Sequence, residues 1–176
     1  MYLNCQIFYY CWNSIIVVVI IYLGDNMNYK YTSRSLEDTI EIAENIESEK
    51  FPGMVICLTG ELGSGKTVFV KGFAKALGIN ETITSPTFSL VKEYYDGEMP
   101  LFHMDVYRLD ESSLDFGLND YLNRDGVCII EWPEMIEDQL PDERLDVKFK
   151  VIDDNTRILV FTPYGQKYED LCEAVL

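Results

Sequence analysis

The residues Gly60-Glu61-Leu62-Gly63-Ser64-Gly65-Lys66-Thr67 fit the pattern G-x-x-x-x-G-K-[ST] at every fixed position. No other feature constrains the fold as strongly, because such a loop works only between a strand and a helix. Met54 to Thr59 before it is a short apolar run of strand type, and Val68 to Leu77 after it reads as a helix. Phe69, Val70, Phe73, Ala74 and Leu77 form the expected buried stripe of that helix, and Gly78 stops it. A nucleoside triphosphate carries several negative charges, so its site needs donors fixed in advance. Glycines let successive backbone N–H groups turn inward, and the helix N-terminus adds its partial positive charge. The backbone from Glu61 through Gly65 is thus expected to cradle phosphates. Lys66 should reach the β- and γ-phosphates, and the Thr67 hydroxyl should bind Mg²⁺. The competing explanation is a chance match, which at a glycine usage of about 7% arises in roughly one chain of this size in a few hundred.

The rest of the chain supplies a sheet around this unit. Tyr29 to Thr32 is expected as a short edge strand, followed by a helix capped by Ser35 with Asp38 as its capping-box partner. Leu36, Ile40, Ala43 and Ile46 are assigned to the buried face of that helix, and Glu37, Glu41, Glu44 and Glu47 to the solvated one. Ser89 to Tyr95, the Asp96-Gly97 turn and Leu101 to Asp105 read as an antiparallel ribbon. Leu109 to Asn123 is helical or irregular, and the continuous apolar run Val127 to Ile130, ending at Glu131, suits a central buried strand. A short helix from Pro133, strands over Leu145 to Val151 and Arg157 to Phe161, and a helix over Lys167 to Val175 complete the reading. The expected fold is α/β, a single P-loop domain over residues 27–176 with a central mixed β-sheet flanked by helices.

Binding alone is not hydrolysis, which needs Mg²⁺ held from a second side and a group that orients the attacking water. Asp105 and Glu131 each follow an apolar strand, where open α/β sheets place their ligands. Either can serve as the second acid, or be an exposed strand end. Thr87, in Thr84-Ser85-Pro86-Thr87-Phe88, lies in a loop able to fold over the γ-phosphate; the alternative is a hydroxyl capping local backbone. Arg108 follows Asp105 closely enough to face the same site, or makes an ordinary surface ion pair. His103 points away from Met104 and is read as a satisfied histidine rather than a general base. Trp132 beside Glu131 either borders the nucleotide or packs in the core. Neither N/T-K-x-D nor D-x-x-G occurs anywhere in the chain, so guanine specificity has no support and ATP is the expected nucleotide.

With 30 Asp and Glu against 14 Lys and Arg, the formal net charge is −16, which repels nucleic acid at long range and argues against direct DNA or tRNA binding. The five cysteines show no C-x-x-C pair and there is a single histidine, so neither zinc nor a disulfide framework is indicated; a reducing, cytoplasmic setting is expected. Residues 1–26 form an apolar extension. It is slightly short for a membrane anchor, interrupted by Asn13, and without a basic residue before Lys30. An over-extended start upstream of Met27 is the favoured explanation, an anchor the alternative.

Taken together, the P-loop, Ser85-Pro86-Thr87-Phe88, His103-Met104-Asp105-Val106-Tyr107-Arg108-Leu109 and Glu131-Trp132-Pro133-Glu134 make the chain resemble the TsaE (YjeE) family, P-loop ATPases of tRNA threonylcarbamoyladenosine synthesis. The resemblance runs from about Met27 to the C-terminus. It implies ATP and Mg²⁺ as cofactors, with Lys66 on the phosphates and Thr67 and Glu131 on or near the metal. It also implies that Asp105 is the acid after His-x, Thr87 the switch-like threonine and Trp132 the tryptophan beside the acid. The implied partners are TsaB and TsaD proteins, with tRNA engaged indirectly through the complex. The alternative is a small-molecule or nucleotide kinase of the P-loop class, although Leu109 to Asn123 lacks the arginines of a kinase lid. The apolar extension is a departure from the family pattern.

Overall fold

A computed structural model describes residues 8–10, 18–23, 26–109 and 117–176. The nine strands form one sheet in the order β1-β2-β3-β9-β8-β4-β7-β6-β5. In chain order they are β1 (Phe8–Tyr10), β2 (Val18–Leu23), β3 (Asn26–Ser33), β4 (Met54–Thr59), β5 (Val91–Tyr94), β6 (Leu101–Asp105), β7 (Val127–Glu131), β8 (Arg144–Val151) and β9 (Arg157–Tyr164). Helices α1 (Leu36–Ser48), α2 (Lys66–Ala76), α3 (Leu118–Leu122) and α4 (Gln166–Val175) alternate with them, and a 3-10 helix spans Pro133–Gln139. The sheet is mixed, as expected. β4 lies parallel to both β7 and β8, and β6 is parallel to β7, whereas β5–β6, β8–β9 and β3–β9 are antiparallel.

Burial on both faces explains the parallel centre. Every residue of β6 and β7 is buried, as are Met54 to Leu58 of β4; β4 and β7 read as apolar runs up to their last residue, whereas His103 interrupts β6. On one face Ile56, Leu58 and Ile129 pack with Phe69, Val70 and Phe73 of α2 and with Ile42, Ala43 and Ile46 of α1. On the other, Val55, Cys57, Met104 and Ile130 pack with Leu109, Leu118 and Ile136. The approach of α1 to α2 is close: a Cβ on Gly72 would lie 2.9 Å from the Ile40 backbone.

β3 and α1 differ from the sequence expectation. β3 is longer than predicted and is no edge, since β2 pairs with its free side and β9 with the other. The buried face of α1 carries Thr39, Ile42, Ala43, Ile46 and Glu47, with Leu36 exposed. Thr39 is tolerated inside because its hydroxyl lies 2.7 Å from that of Ser33. Glu47 is tolerated because its carboxylate meets Lys50 at 2.7 Å. The cap itself is as expected: Asp38 N–H donates to Ser35 Oγ at 3.0 Å, while Asp38 Oδ2 accepts from Arg34 N–H at 2.7 Å.

Of the expected apolar extension over residues 1–26, most lies outside the described residues; of Leu109 to Asn123, expected to be helical or irregular, residues 110–116 lie outside them and α3 is the helical part. Among the described residues, no helix is long and apolar enough to cross a membrane.

Candidate functional site

β4 ends at Thr59 and hands the chain to the glycine-rich loop. Gly60 has φ +154, and a Cβ there would lie 2.8 Å from Ser64 Oγ and 2.9 Å from the Phe149 carbonyl oxygen of β8. Glycine is therefore required by close approach, which seats the loop against the sheet. Gly65, at φ +112, is the N-cap of α2 and accepts from Phe69 N–H at 3.0 Å. The first turn of α2 then presents Lys66 and Thr67 to a cleft of about 280 Å³. That cleft is bounded by Leu62 to Val68, Ser85, Thr87, Asp105, Glu131 and Trp132.

Lys66 is only 4% exposed. Its ammonium donates to the carbonyls of Gly60 at 2.7 Å and Glu61 at 3.1 Å, and lies 4.0 Å from the Trp132 ring centroid. Burial lowers its pKa from the ordinary lysine value, opposed in part by the charges of Glu131, Asp105 and Glu134. Trp132 reaches this position through a backbone at φ +64, a conformation uncommon for a bulky residue. Its N–H donates to Leu58 O at 3.1 Å and its ring contacts Tyr107 with centroids 4.7 Å apart. The indole is thus both a packing element and a wall of the cleft.

Asp105 and Glu131 end neighbouring parallel strands in the same register, Asp105 opposite Glu131. Both are buried, at 4% and 3% exposure. Thr67 Oγ1 donates to Glu131 Oε1 at 3.0 Å, so helix and strand meet through one carboxylate oxygen. Asp105 Oδ2 accepts from Ser85 Oγ at 2.5 Å and from Thr87 Oγ1 at 2.8 Å, and Oδ1 accepts from Tyr107 N–H at 3.2 Å. The loop carrying Thr87 is therefore tied down on the acid at the end of β6.

The arrangement brings together Leu62 through Thr67, Thr87, Asp105, Glu131 and Trp132; Glu61 is not among the residues bounding the cleft and meets the site only through its carbonyl, which accepts from Lys66. Arg108 is not among the residues bounding the cleft; its guanidinium stacks on the exposed Phe88 ring at 4.7 Å. His103 is fully buried, with Nε2 2.9 Å from Glu131 Oε1 and no partner for Nδ1 among the described residues, so the expected satisfied histidine is satisfied at one nitrogen only. Ser85 was not singled out from the sequence. Its spacing of two from Thr87 was the available signal, since hydroxyls two apart in an extended loop can share one acceptor.

Thr67 and Glu131 offer hard oxygen donors of the type Mg²⁺ prefers. No cluster of three His, Cys, Asp or Glu able to hold a metal occurs among the described residues. A Mg²⁺ ion characteristically uses one or two protein oxygens, with phosphates and water completing its shell, so the donor set fits that ion.

Comparison with known proteins gives one answer by three routes. The family model described as "Threonylcarbamoyl adenosine biosynthesis protein TsaE" matches residues 33–159. A Bacillus subtilis protein described as "tRNA threonylcarbamoyladenosine biosynthesis protein TsaE" is 48% identical over 144 residues, covering 82% of this chain and 91% of that one. A Treponema pallidum protein of the same description is 42% identical over 127 residues, covering 71% of this chain and 93% of its own. A crystal structure of Bacillus subtilis YdiB superposes with a TM-score of 0.78 at 42% identity, covering 87% of this chain and 97% of the other.

Proposed function

The chain belongs to the TsaE family, and from that premise we propose that it is a Mg²⁺-dependent ATPase. Its role is to support formation of N6-threonylcarbamoyladenosine at position 37 of tRNA, together with TsaB and TsaD proteins. The observation that carries the ATPase reading is the convergence of Lys66, Thr67, Asp105 and Glu131 on one cleft at the mouth of a glycine loop.

The chain's own residues divide the work. Backbone N–H groups of Glu61 to Gly65 and the N-terminus of α2 receive the phosphates. The Lys66 ammonium leaves the carbonyls of Gly60 and Glu61 and turns to the β- and γ-phosphate oxygens. Thr67 and Glu131 would hold Mg²⁺, and the ion would supply charge that neutralises the phosphates. Asp105 and Glu131 are the two groups available to orient the attacking water, and the Ser85–Thr87 loop closes over the γ-phosphate end. Trp132 walls the cleft on its far side. The net charge of −16 suits a subunit that leaves tRNA contact to its partners and acts in the cytoplasm.

The test measures ATP turnover by the purified chain with and without TsaB and TsaD, and threonylcarbamoyladenosine in tRNA by nucleoside mass spectrometry. Partners should raise or couple turnover, and Lys66→Ala should drop both readouts to background. Turnover indifferent to the partners, or phosphate delivered to a small acceptor as a kinase would do, refutes the proposal.

A further inference from the structure

The only histidine of the sequence, His103, lies behind Glu131 rather than on the cleft wall, with one nitrogen on that acid and the other without a partner among the described residues. It is 0% exposed, with Nε2 2.9 Å from Glu131 Oε1, while Nδ1 is buried without a partner among the described residues. β6 alternates so that His103 and Asp105 share one face, which brings the imidazole beside the acid of the adjacent strand. The orphaned nitrogen fixes the tautomer. A proton on Nδ1 would bury an N–H without an acceptor and set the Nε2 lone pair against a carboxylate oxygen, whereas a proton on Nε2 donates to Glu131 and leaves only an acceptor unpaired.

We propose that His103 is a positioning residue for the metal-binding acid. Its Nε2–H and the Thr67 hydroxyl both hold Glu131 Oε1, fixing the carboxylate's rotation so that its other oxygen is presented to the cation. This rests on Glu131 acting as a Mg²⁺ ligand. Among the described residues, no protein donor is recorded on Glu131 Oε2, whereas Oε1 carries both bonds. Outer-shell partners of this kind typically set metal affinity by about 10–100-fold.

Two measurements test it, neither requiring turnover. In the first, Mn²⁺ binding in the presence of a non-hydrolysable ATP analogue is followed by electron paramagnetic resonance in wild type, His103→Gln and His103→Leu. Gln places an amide N–H near the Nε2 position and should hold affinity within about three-fold. Leu keeps bulk without a donor and should weaken it by roughly ten-fold or more, while metal-free affinity for the analogue stays unchanged. Equal affinity in the Leu variant and wild type overturns the positioning role. Absence of metal-dependent binding in wild type overturns the Mg²⁺ site itself, and the positioning role with it.

The second measurement uses unaltered protein, so it holds even if the Leu variant fails to fold. In a long-range ¹H–¹⁵N spectrum the single imidazole should show the Nε2–H pattern, and its Nε2–H signal should shift when Mg²⁺ and analogue are added together but not with Mg²⁺ alone. An Nδ1–H pattern, or no shift, refutes the proposal.

Discussion

Replacing Tyr168 by Phe removes one oxygen atom from the core and tests how β4 is held in place beneath the phosphate loop. β4 pairs with β8 only from Ile56 onward. One residue earlier, Val55 N–H donates to the Tyr168 hydroxyl of α4 at 2.8 Å, in a side chain 2% exposed. Phe keeps the ring and its edge contact with Phe51, centroids 5.2 Å apart, and deletes only the acceptor. The buried N–H is then unpaired, at a cost of about 1–3 kcal/mol. For a domain of this size that lowers Tm by roughly 2–12 °C.

The same phenol adds a signature in pH. Burial pushes the Tyr168 pKa from 10 up to about 12. A raised folded-state pKa means the stabilisation is fully present below pH 10 and is lost as pH rises towards 12. Wild type should therefore lose about 2–3 kcal/mol over that interval that the Phe variant does not lose. Urea unfolding at pH 7, 9, 10, 11 and 12 reads both effects, because other alkaline titrations are common to the two proteins and cancel in the difference. The gap should be constant to pH 10 and then close. Equal stabilities at pH 7 refute the assignment of Tyr168 as the acceptor that finishes β4, and a gap that persists at pH 12 refutes burial as the source of its raised pKa.

Gly60→Ala should cost about 1–3 kcal/mol from overlap with Ser64 and Phe149, plus about 1–2 kcal/mol for the backbone. Gly63→Ala, at φ +77 with no atom within 4 Å, should incur only the backbone cost, so equal losses in urea melts contradict the close-approach argument. Asp105→Ala releases the Ser85 and Thr87 hydroxyls, and limited proteolysis within residues 84–90 should accelerate roughly ten-fold or more, since each bond to a carboxylate contributes about 1.5–3 kcal/mol. Cys57, Cys128 and Cys172 are buried, and burial raises all three pKa values, to about 12 for Cys128 and Cys172. Peptide mapping after alkylation at pH 8.5 should find these thiols unlabelled until urea unfolds the chain; native labelling would contradict their burial.

The glycine-rich loop, its strand and its helix were legible because glycine spacing and apolar runs are local signals. Val127 to Glu131 was legible for a related reason, as a parallel strand buried on both faces needs no alternation. The face of α1 was misjudged because Thr39 and Glu47 are polar, and what makes them admissible inside is a partner, Ser33 or Lys50, that no hydrophobic period records. β5 begins at Val91, later than the alternation from Ser89 suggested. Leu90 takes φ +62, and its N–H turns back to Pro86 O at 2.8 Å. In the site, the acids could be named from strand ends. The sharing of Glu131 Oε1 by Thr67 and His103 could not, because it depends on the lateral register of β6 against β7.

The loop carbonyls of Gly60 and Glu61, with the indole of Trp132, already satisfy the Lys66 ammonium. On the proposed function, phosphate capture by Lys66 would be a substitution, in which an incoming oxygen must outcompete a contact that is surrendered. A small inorganic anion, able to replace one such contact but not to engage the rest of the loop, gains little on balance. Lys66 is in this sense engaged by its own loop, and discrimination would run against fragments of the phosphate chain as much as against strangers to it.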